Sequence, residues 1–230
     1  MAAKDTLYFE LRDALNAGGC ALCRQGRKAS DSYLNSLIYE GVTDRGLREE
    51  LREAHGLCHR HAWRIARRRG SVLGIAIIYQ DVVNSVLSEL DHPAGPSPWW
   101  RAKASDALLD RLQPTASCPA CRLESDAERR AGKTLIKHLG EAEIAELYQT
   151  GGGLCLPHFR ATLLGASSRA RLVLVGWQRQ VMRALHGELG ELIRKHDYRF
   201  TGEPIGEEAD SWQRAVALVI GEGEPNPDAK

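Results

Sequence analysis

The chain has 230 residues, of which 43% are hydrophobic and 27% charged, and its formal net charge is only +1 at pH 7. This composition predicts a folded globular protein with an ordinary core. The near-neutral charge excludes a strong overall field, so any binding to nucleic acid or to an acidic partner would need a local patch. The longest apolar stretch, Val72 to Tyr79, is too short to cross a bilayer, which predicts no membrane insertion.

Apolar residues in the first half follow helical spacing. Leu34, Leu37 and Ile38 predict one helix, Leu47 and Leu51 predict the next, and a long apolar stripe follows from Val72 to Leu90. The second half repeats this order, and no stretch alternates as a strand would. The fold class is therefore expected to be all-α.

The order of elements predicts four segments. We expect a first helical module at 1–90, a linker at 91–103, a second helical module at 104–196 and a C-terminal strap with a short helix at 197–230. The linker is rich in proline and carries Trp99 and Trp100, which are expected to anchor it by packing. The last ten residues, GEGEPNPDAK, are expected to be disordered.

All six cysteines belong to one repeated pattern, a CxxC followed by a CxxH. The first quartet is Cys20, Cys23, Cys58 and His61, and the second is Cys118, Cys121, Cys155 and His158. The CxxC recurs 98 residues later and the CxxH 97 residues later, which predicts an internal duplication. Three thiolates and one imidazole fill a tetrahedral shell, so the pattern predicts two metal sites with each ligand pair at a helix start.

Zinc is the expected ion, two per chain, because mixed Cys/His quartets are common structural zinc sets. An iron–sulfur cluster is the minor alternative. A closed shell favours structural over catalytic sites. Pairing within a quartet is expected, although exchange between the quartets would use the same residues. His55 and His59 are not expected to be ligands, because the second quartet has Gly152 and Leu156 at the matching positions.

Disulfides are disfavoured because the first residues, MAAKDTLYFE, contain no signal-peptide core. The same observation predicts a cytoplasmic protein. Its expected role is that of a scaffold or interaction protein with an unidentified protein partner, and its oligomeric state is open. We do not expect an enzyme, since no phosphate loop, nucleophile elbow or dinucleotide fingerprint is present.

Two alternative functions rest on charged runs. A nucleic-acid role would use the arginines after Cys58, namely Arg60, Arg64, Arg67, Arg68 and Arg69. A redox or hydrolytic enzyme would use an iron–sulfur cluster or the acidic and aromatic residues of 197–212. The simpler interpretation of that segment is a strap in which Arg199 and Arg214 pair with Glu207, Glu208 or Asp210.

The doubled CxxC and GLCxxH modules, together with the tail HDYRFTGEPIGEEADSW, resemble a family of uncharacterised prokaryotic proteins. The resemblance covers almost the whole chain, and the tail is its most specific part. It implies a mainly helical metal-binding protein whose ligands are the eight residues of the two quartets. It implies no activity.

Overall fold

A computed structural model describes residues 4–68, 70–91, 108–200 and 202–223. Of the described residues, 76% are helical and none lies in a strand. The all-α prediction is confirmed. The linker with Trp99 and Trp100 lies almost wholly outside the described residues, and so does the end of the chain after Gly223.

The α-helices with defined bounds are numbered in chain order. They are α1 (Thr6–Asn16), α2 (Ala21–Tyr39), α3 (Arg45–Glu53), α4 (His59–Ala66), α5 (Val72–Asp91), α6 (Pro119–Lys137), α7 (Ala142–Thr150), α8 (Leu156–Leu164), α9 (Ser168–Lys195) and α10 (Ser211–Ile220). Short 3₁₀ helices at Tyr198–Phe200 and Glu207–Asp210 connect α9 to α10. The side chains of Asp5, Asp44 and Ser167 accept hydrogen bonds from free N–H groups and so fix the starts of α1, α3 and α9.

The chain forms two compact units that differ from the tandem modules expected at 1–90 and 104–196. Unit 1 combines Met1–Arg27 with Asp126–Lys230, and unit 2 is Lys28–Ser125. Both unit boundaries fall inside a helix, one in α2 and one in α6. The reason is that the N-terminal residues up to Arg27 share their core and their metal-ligand cluster with residues after Asp126.

The core of unit 1 joins the two ends of the chain. Leu11 of α1 and Leu22 of α2 pack in one buried cluster with Leu135, Ile144 and Leu154, and each is at most 2% exposed. Burial of a Leu or Ile side chain of this size stabilises the folded state by about 1.5–3 kcal/mol. This cluster fixes the start of α2 against the loop before α8.

The core of unit 2 is a second, separate cluster. It contains Leu34 and Leu37 of α2, Leu51 of α3, Ile65 of α4 and Ile78 of α5, all at most 3% exposed. Gly74 permits a close approach of α5 to α2, because a Cβ added there would lie 3.1 Å from the Ile38 side chain. Leu57 in the loop before α4 and Ala120 at the start of α6 belong to the same cluster, which holds this loop against that helix start.

Helix α5 presents an exposed apolar face. Val83, Leu87 and Leu90 are about half exposed (54%, 48% and 51%), while Ile78 and Val82 on the other side are buried. The helix has 20 residues and an 18-residue window of mean hydropathy 1.2, of which 11% is buried. By length and composition alone it could cross a membrane, but one such helix is weak support, because helices of soluble proteins pass the same test. The expected absence of membrane insertion stays a prediction.

The segment after α9 is held to the end of that helix by ion pairs. Lys195 Nζ lies 2.7 Å from Glu208 Oε1 and donates to the Pro204 carbonyl at 2.9 Å. Arg214 pairs with Asp210 at 2.8 Å and also with Glu188. These contacts agree with a strap that holds α10.

Arg199 takes a different partner from the ones expected. It pairs with Asp197 two residues earlier, at 2.7 Å, rather than with Glu207, Glu208 or Asp210. The reason is local, since the short 3₁₀ helix at Tyr198–Phe200 folds Arg199 back toward Asp197.

Candidate metal centres

Each ligand pair lies at the start of a helix, as the spacing predicts. Cys20 and Cys118 directly precede α2 and α6, and their partners Cys23 and Cys121 lie in the first turn. Cys58 and Cys155 are the N-cap residues of α4 and α8, with His61 and His158 three residues later. Free N–H groups and the helix dipole at these positions favour thiolates over thiols.

The structure exchanges the ligand pairs between the two quartets, which corrects the expected pairing within a quartet. Centre 1 consists of Cys20, Cys23, Cys155 and His158, and centre 2 consists of Cys58, His61, Cys118 and Cys121. In each centre the four ligand atoms lie within 4.8 Å of one another. Neither centre includes His55 or His59. A CxxC from one quartet therefore meets the CxxH of the other, because the buried clusters bring those helix starts together.

Centre 1 lies wholly in unit 1. Its histidine directs Nδ1 at three sulfurs, at 3.4 Å from Cys20 Sγ, 3.3 Å from Cys23 Sγ and 3.2 Å from Cys155 Sγ. The Cys23 and Cys155 sulfurs are 3.7 Å apart. Cys20 and Cys155 are buried, at 5% and 1% exposure, and Cys23 is partly exposed.

Centre 2 has the same arrangement in unit 2. His61 Nδ1 lies 3.3 Å from Cys58 Sγ, 3.7 Å from Cys118 Sγ and 3.4 Å from Cys121 Sγ. The Cys58 and Cys121 sulfurs are 3.5 Å apart. In this centre the histidine is fully buried, whereas all three cysteines are partly exposed.

A carboxylate from α6 contacts the outer nitrogen of each histidine. Glu124 Oε2 lies 3.1 Å from His61 Nε2, and Glu128 Oε1 lies 3.2 Å from His158 Nε2. Metal-bound histidines usually give their second nitrogen to a carboxylate, which fixes the tautomer and makes the ligand more basic. The two glutamates stand four residues apart on one helix, and both orient Nδ1 toward the sulfurs.

The charge balance of centre 2 is that of a cation site. Burial lowers the pKa of His61, but hydrogen bonds to Cys118 and Glu124 outweigh it and raise that pKa to about 9. Burial also raises the pKa of Cys121, and the neighbouring Cys58 and Cys118 raise it further, because negative charge accumulates. A divalent cation in this position would neutralise that charge. In centre 1 the three thiols likewise raise the pKa of His158 against the effect of burial.

Glycines with positive φ bring the backbone close to the ligands in both centres. Gly56 has φ 90° and Gly153 has φ 72°, a region that L residues rarely adopt. A Cβ added at Gly153 would lie 2.9 Å from Gln178 Oε1, and one added at Gly56 would lie 3.2 Å from the Tyr79 ring. A side chain at either position would be strained by the positive φ and by these close contacts.

Gln178 on α9 holds the loop of centre 1. Its Nε2 donates to the Leu154 carbonyl at 2.9 Å, and its Oε1 accepts from the Leu154 N–H at 3.2 Å and from the Tyr148 hydroxyl at 2.5 Å. The Gln178 side chain is buried, so these bonds satisfy polar groups that water does not reach. The amide thereby positions Cys155, the next residue after Leu154.

Residues 221–223, which follow α10, contact centre 1 and the residues beside it. Glu222 Oε1 accepts the Cys20 N–H at 2.8 Å, and Arg27 donates to the Gly223 carbonyl at 2.6 Å. A Cβ added at Gly221 would lie 3.7 Å from Cys23 Sγ and 3.9 Å from Cys155 Sγ. The first three residues of the segment expected to be disordered therefore have defined contacts. The reason is that the Glu222 carboxylate accepts a free N–H at the start of α2.

The arginines after Cys58 are mostly paired with acids. Arg68 pairs with Asp31 at 2.5 Å, Arg64 lies 3.7 Å from the same carboxylate, and Arg60 pairs with Glu124. Arg69 lies outside the described residues. Such pairing leaves less of this basic run available to phosphates.

Four contacts near the centres were not found from the sequence. Glu124 and Glu128 follow the second CxxC by a few residues, but nothing in their spacing shows which histidine they meet. Gln178 and Glu222 lie far along the chain from their partners. A carboxylate soon after a CxxC is the one local signal that could have pointed to Glu124.

Comparison with known proteins finds a family model, described as a family of unknown function (DUF6062), that matches residues 3–226. The chain is also 36% identical over 220 residues to an uncharacterised 23.9 kDa protein encoded in the xynA 3′ region of Caldicellulosiruptor sp. (strain Rt8B.4). That match covers 88% of this chain and 95% of the relative. No solved structure matches. The chain has an all-helical fold with two candidate metal-ligand clusters, and the family model matches nearly its full length. It therefore belongs to the family of unknown function DUF6062.

Proposed function

We propose that the protein binds two zinc ions in closed Cys₃His sites and that each ion stabilises the fold. The observation that carries this proposal is the clustering of four ligand atoms within 4.8 Å in each centre. Three thiolates and an imidazole complete the four-coordinate shell of zinc and leave no open position for a substrate. The ions would therefore hold the fold together rather than perform catalysis.

The sulfur separations favour a single ion over a cluster. A tetrahedral zinc ion with Zn–S bonds of about 2.3 Å places its sulfurs about 3.8 Å apart. The sulfur pairs at 3.5 Å in centre 2 and 3.7 Å in centre 1 fit that geometry. In an iron–sulfur cluster the four ligands are divided among two or more iron atoms, so some of them lie farther apart than the 4.8 Å within which all four ligand atoms of each centre lie.

An internal duplication would explain why both centres have the same ligand set. In this proposal each zinc joins the CxxC of one quartet to the CxxH of the other, so that the two duplicated segments stabilise each other. A structural zinc site contributes on the order of 10 kcal/mol to folding. Thiolate ligands persist in a reducing compartment, which supports a cytoplasmic location.

Elemental analysis of protein purified under reducing conditions tests the metal proposal. We expect two zinc atoms per chain and no visible absorbance. A brown protein containing iron and sulfide would overturn the zinc assignment. Substantially fewer than two metals per chain after zinc-supplemented growth would contradict the two-site proposal itself.

A scaffold or interaction role is supported by the exposed face of α5. Val83, Leu87 and Leu90 follow one another at helical spacing and are about half exposed, and exposed apolar stripes of this kind mark contact surfaces. We expect Leu87→Glu to abolish association with a protein partner without changing the zinc content, and Gln80→Glu on the same helix to be the control. Association that survives Leu87→Glu would exclude this face.

A further inference from the structure

The two centres have the same ligands but differ in how the chain covers them. In centre 1 Cys20 and Cys155 are buried and only Cys23 is partly exposed, and Gly221 and Glu222, which follow α10, contact this centre. All three cysteines of centre 2 are partly exposed. Since solvent access controls how fast a metal-bound thiolate reacts, this difference separates the two centres chemically.

A cation beside the sulfurs adds a second difference. Arg60 lies between Cys58 and His61 in the chain, its guanidinium pairs with Glu124 beside His61, and its side chain stays half exposed at 51%. Burial lowers the pKa of this guanidinium, but Glu124 and the Cys121 and Cys58 sulfurs outweigh it and raise that pKa. Pro157 stands between Cys155 and His158, where Arg60 stands before His61, so the matching position of centre 1 has no charged group. A guanidinium there can donate hydrogen bonds to an oxygen that gains negative charge as a sulfur attacks.

We propose that centre 2 is a modification site for two-electron oxidants of the peroxide class and that the tail protects centre 1 from the same reaction. This inference rests on the proposed zinc sites. It assigns different roles to them, with centre 1 as a permanent tie and centre 2 as a redox-sensitive one.

The chemistry at centre 2 needs only the peroxide as co-reactant. The Cys121 thiolate attacks a peroxide oxygen, the O–O bond breaks, and the leaving hydroxide takes a proton from solvent to become water. The resulting sulfenic acid is attacked by the Cys58 thiolate, whose sulfur lies 3.5 Å away. The S–O bond breaks, a second hydroxide leaves as water, and a disulfide forms. Two electrons pass from the sulfurs to the peroxide, and the zinc ion loses two of its four ligands.

Zinc release and disulfide mapping test the proposal. Zinc-loaded protein is treated with hydrogen peroxide, released zinc is followed with a chromogenic chelator, and disulfides are located by mass spectrometry. We expect a fast phase of one zinc per chain with a Cys58–Cys121 disulfide, and a slow second phase from centre 1. Release of both ions at one rate, or a first disulfide within centre 1, would overturn the proposal.

Glu222→Ala tests whether the tail is the cause of the difference. The variant loses the carboxylate that accepts the Cys20 N–H, so centre 1 should release zinc about tenfold faster, the scale on which outer contacts of a metal site act. Release from centre 2 should not change. An unchanged slow phase in the variant would show that the tail does not protect centre 1.

Arg60→Gln tests the role of the guanidinium, with Arg67→Gln on the same helical segment as control. We expect Arg60→Gln to slow the fast phase several-fold and Arg67→Gln to have no effect. Arg60→Gln should slow alkylation by N-ethylmaleimide less than it slows the reaction with peroxide, because no hydroxide leaves during alkylation. Equal rates in the wild type and in Arg60→Gln would remove the guanidinium from the proposal.

The outcomes separate this inference from the proposed function. Protein that contains two zinc ions but releases them at equal rates contradicts this inference alone, whereas protein without zinc contradicts the proposed function.

Discussion

The exchange of ligands between the quartets can be tested by metal counting in two double variants. Cys20→Ala combined with Cys155→Ala removes two ligands of centre 1 and leaves centre 2 intact. Cys20→Ala combined with Cys58→Ala removes two residues of the first sequence quartet but one ligand from each centre. We therefore expect the first variant to retain one tightly bound zinc and the second to retain two weakened sites.

The expected difference is large enough for a chelator competition assay. Loss of an outer contact alone typically weakens a metal site about 10- to 100-fold, so a site that lacks a thiolate should lose its ion to a moderate chelator. After dialysis against such a chelator, elemental analysis should give one zinc per chain for Cys20→Ala/Cys155→Ala and none for Cys20→Ala/Cys58→Ala. Circular dichroism checks that both variants stay helical.

The reverse result would refute the exchanged pairing. If the ligands paired within a quartet, Cys20→Ala/Cys58→Ala would empty one site and retain the other, and Cys20→Ala/Cys155→Ala would damage both. The two arrangements use the same eight residues, so single substitutions do not distinguish them. The comparison of the two doubles does.

Three further predictions concern residues around the centres and in the tail. Glu124→Gln should lower the zinc affinity of centre 2 by about 10- to 100-fold in a competition titration, because its histidine loses the carboxylate beside Nε2. Gln178→Leu should lower the free energy of unfolding by about 1–3 kcal/mol for each buried group left without a partner, with exposed Gln80→Leu as control in thermal melts. The Gly206 N–H and the neighbouring lysine lower the pKa of Glu208 from 4.5 to about 2, so its contribution to stability is complete above pH 4.5 and is lost as pH falls toward 2. The melting temperature of Glu208→Gln should therefore fall less steeply in that range than that of the wild type, and equal slopes would contradict the strap.

The ion pairs of the tail also bear on the enzyme alternative. Glu203 and Glu208 of the tail pair with Arg194 and Lys195 at the end of α9. Carboxylates that are already paired with cations are held in the charged form, which suits them poorly to give up a proton in acid catalysis. Their arrangement supports the proposal of a structural role for this segment.

The all-α fold and the eight candidate ligands could be predicted from the amino-acid sequence alone. Helical spacing is a local property, and two ligands three residues apart at a helix start lie on one side of the first turn in any tertiary fold. Gly56 and Gly153, the first residues of the two GLC segments, also stand out in the sequence, and the structure gives both a positive φ.

Which ligand pairs meet depends on tertiary packing. The two CxxC pairs are chemically alike, and so are the two CxxH pairs. Pairing within a quartet and pairing between quartets therefore fill the same tetrahedral shell, and the spacing of the residues does not distinguish the two arrangements. The choice comes from packing of residues distant in sequence, such as Leu22 with Leu135 and Leu154 in the core of unit 1. The contacts of Glu124, Gln178 and Glu222 also depend on tertiary packing, because each joins residues that are distant in the chain and local spacing does not encode such contacts.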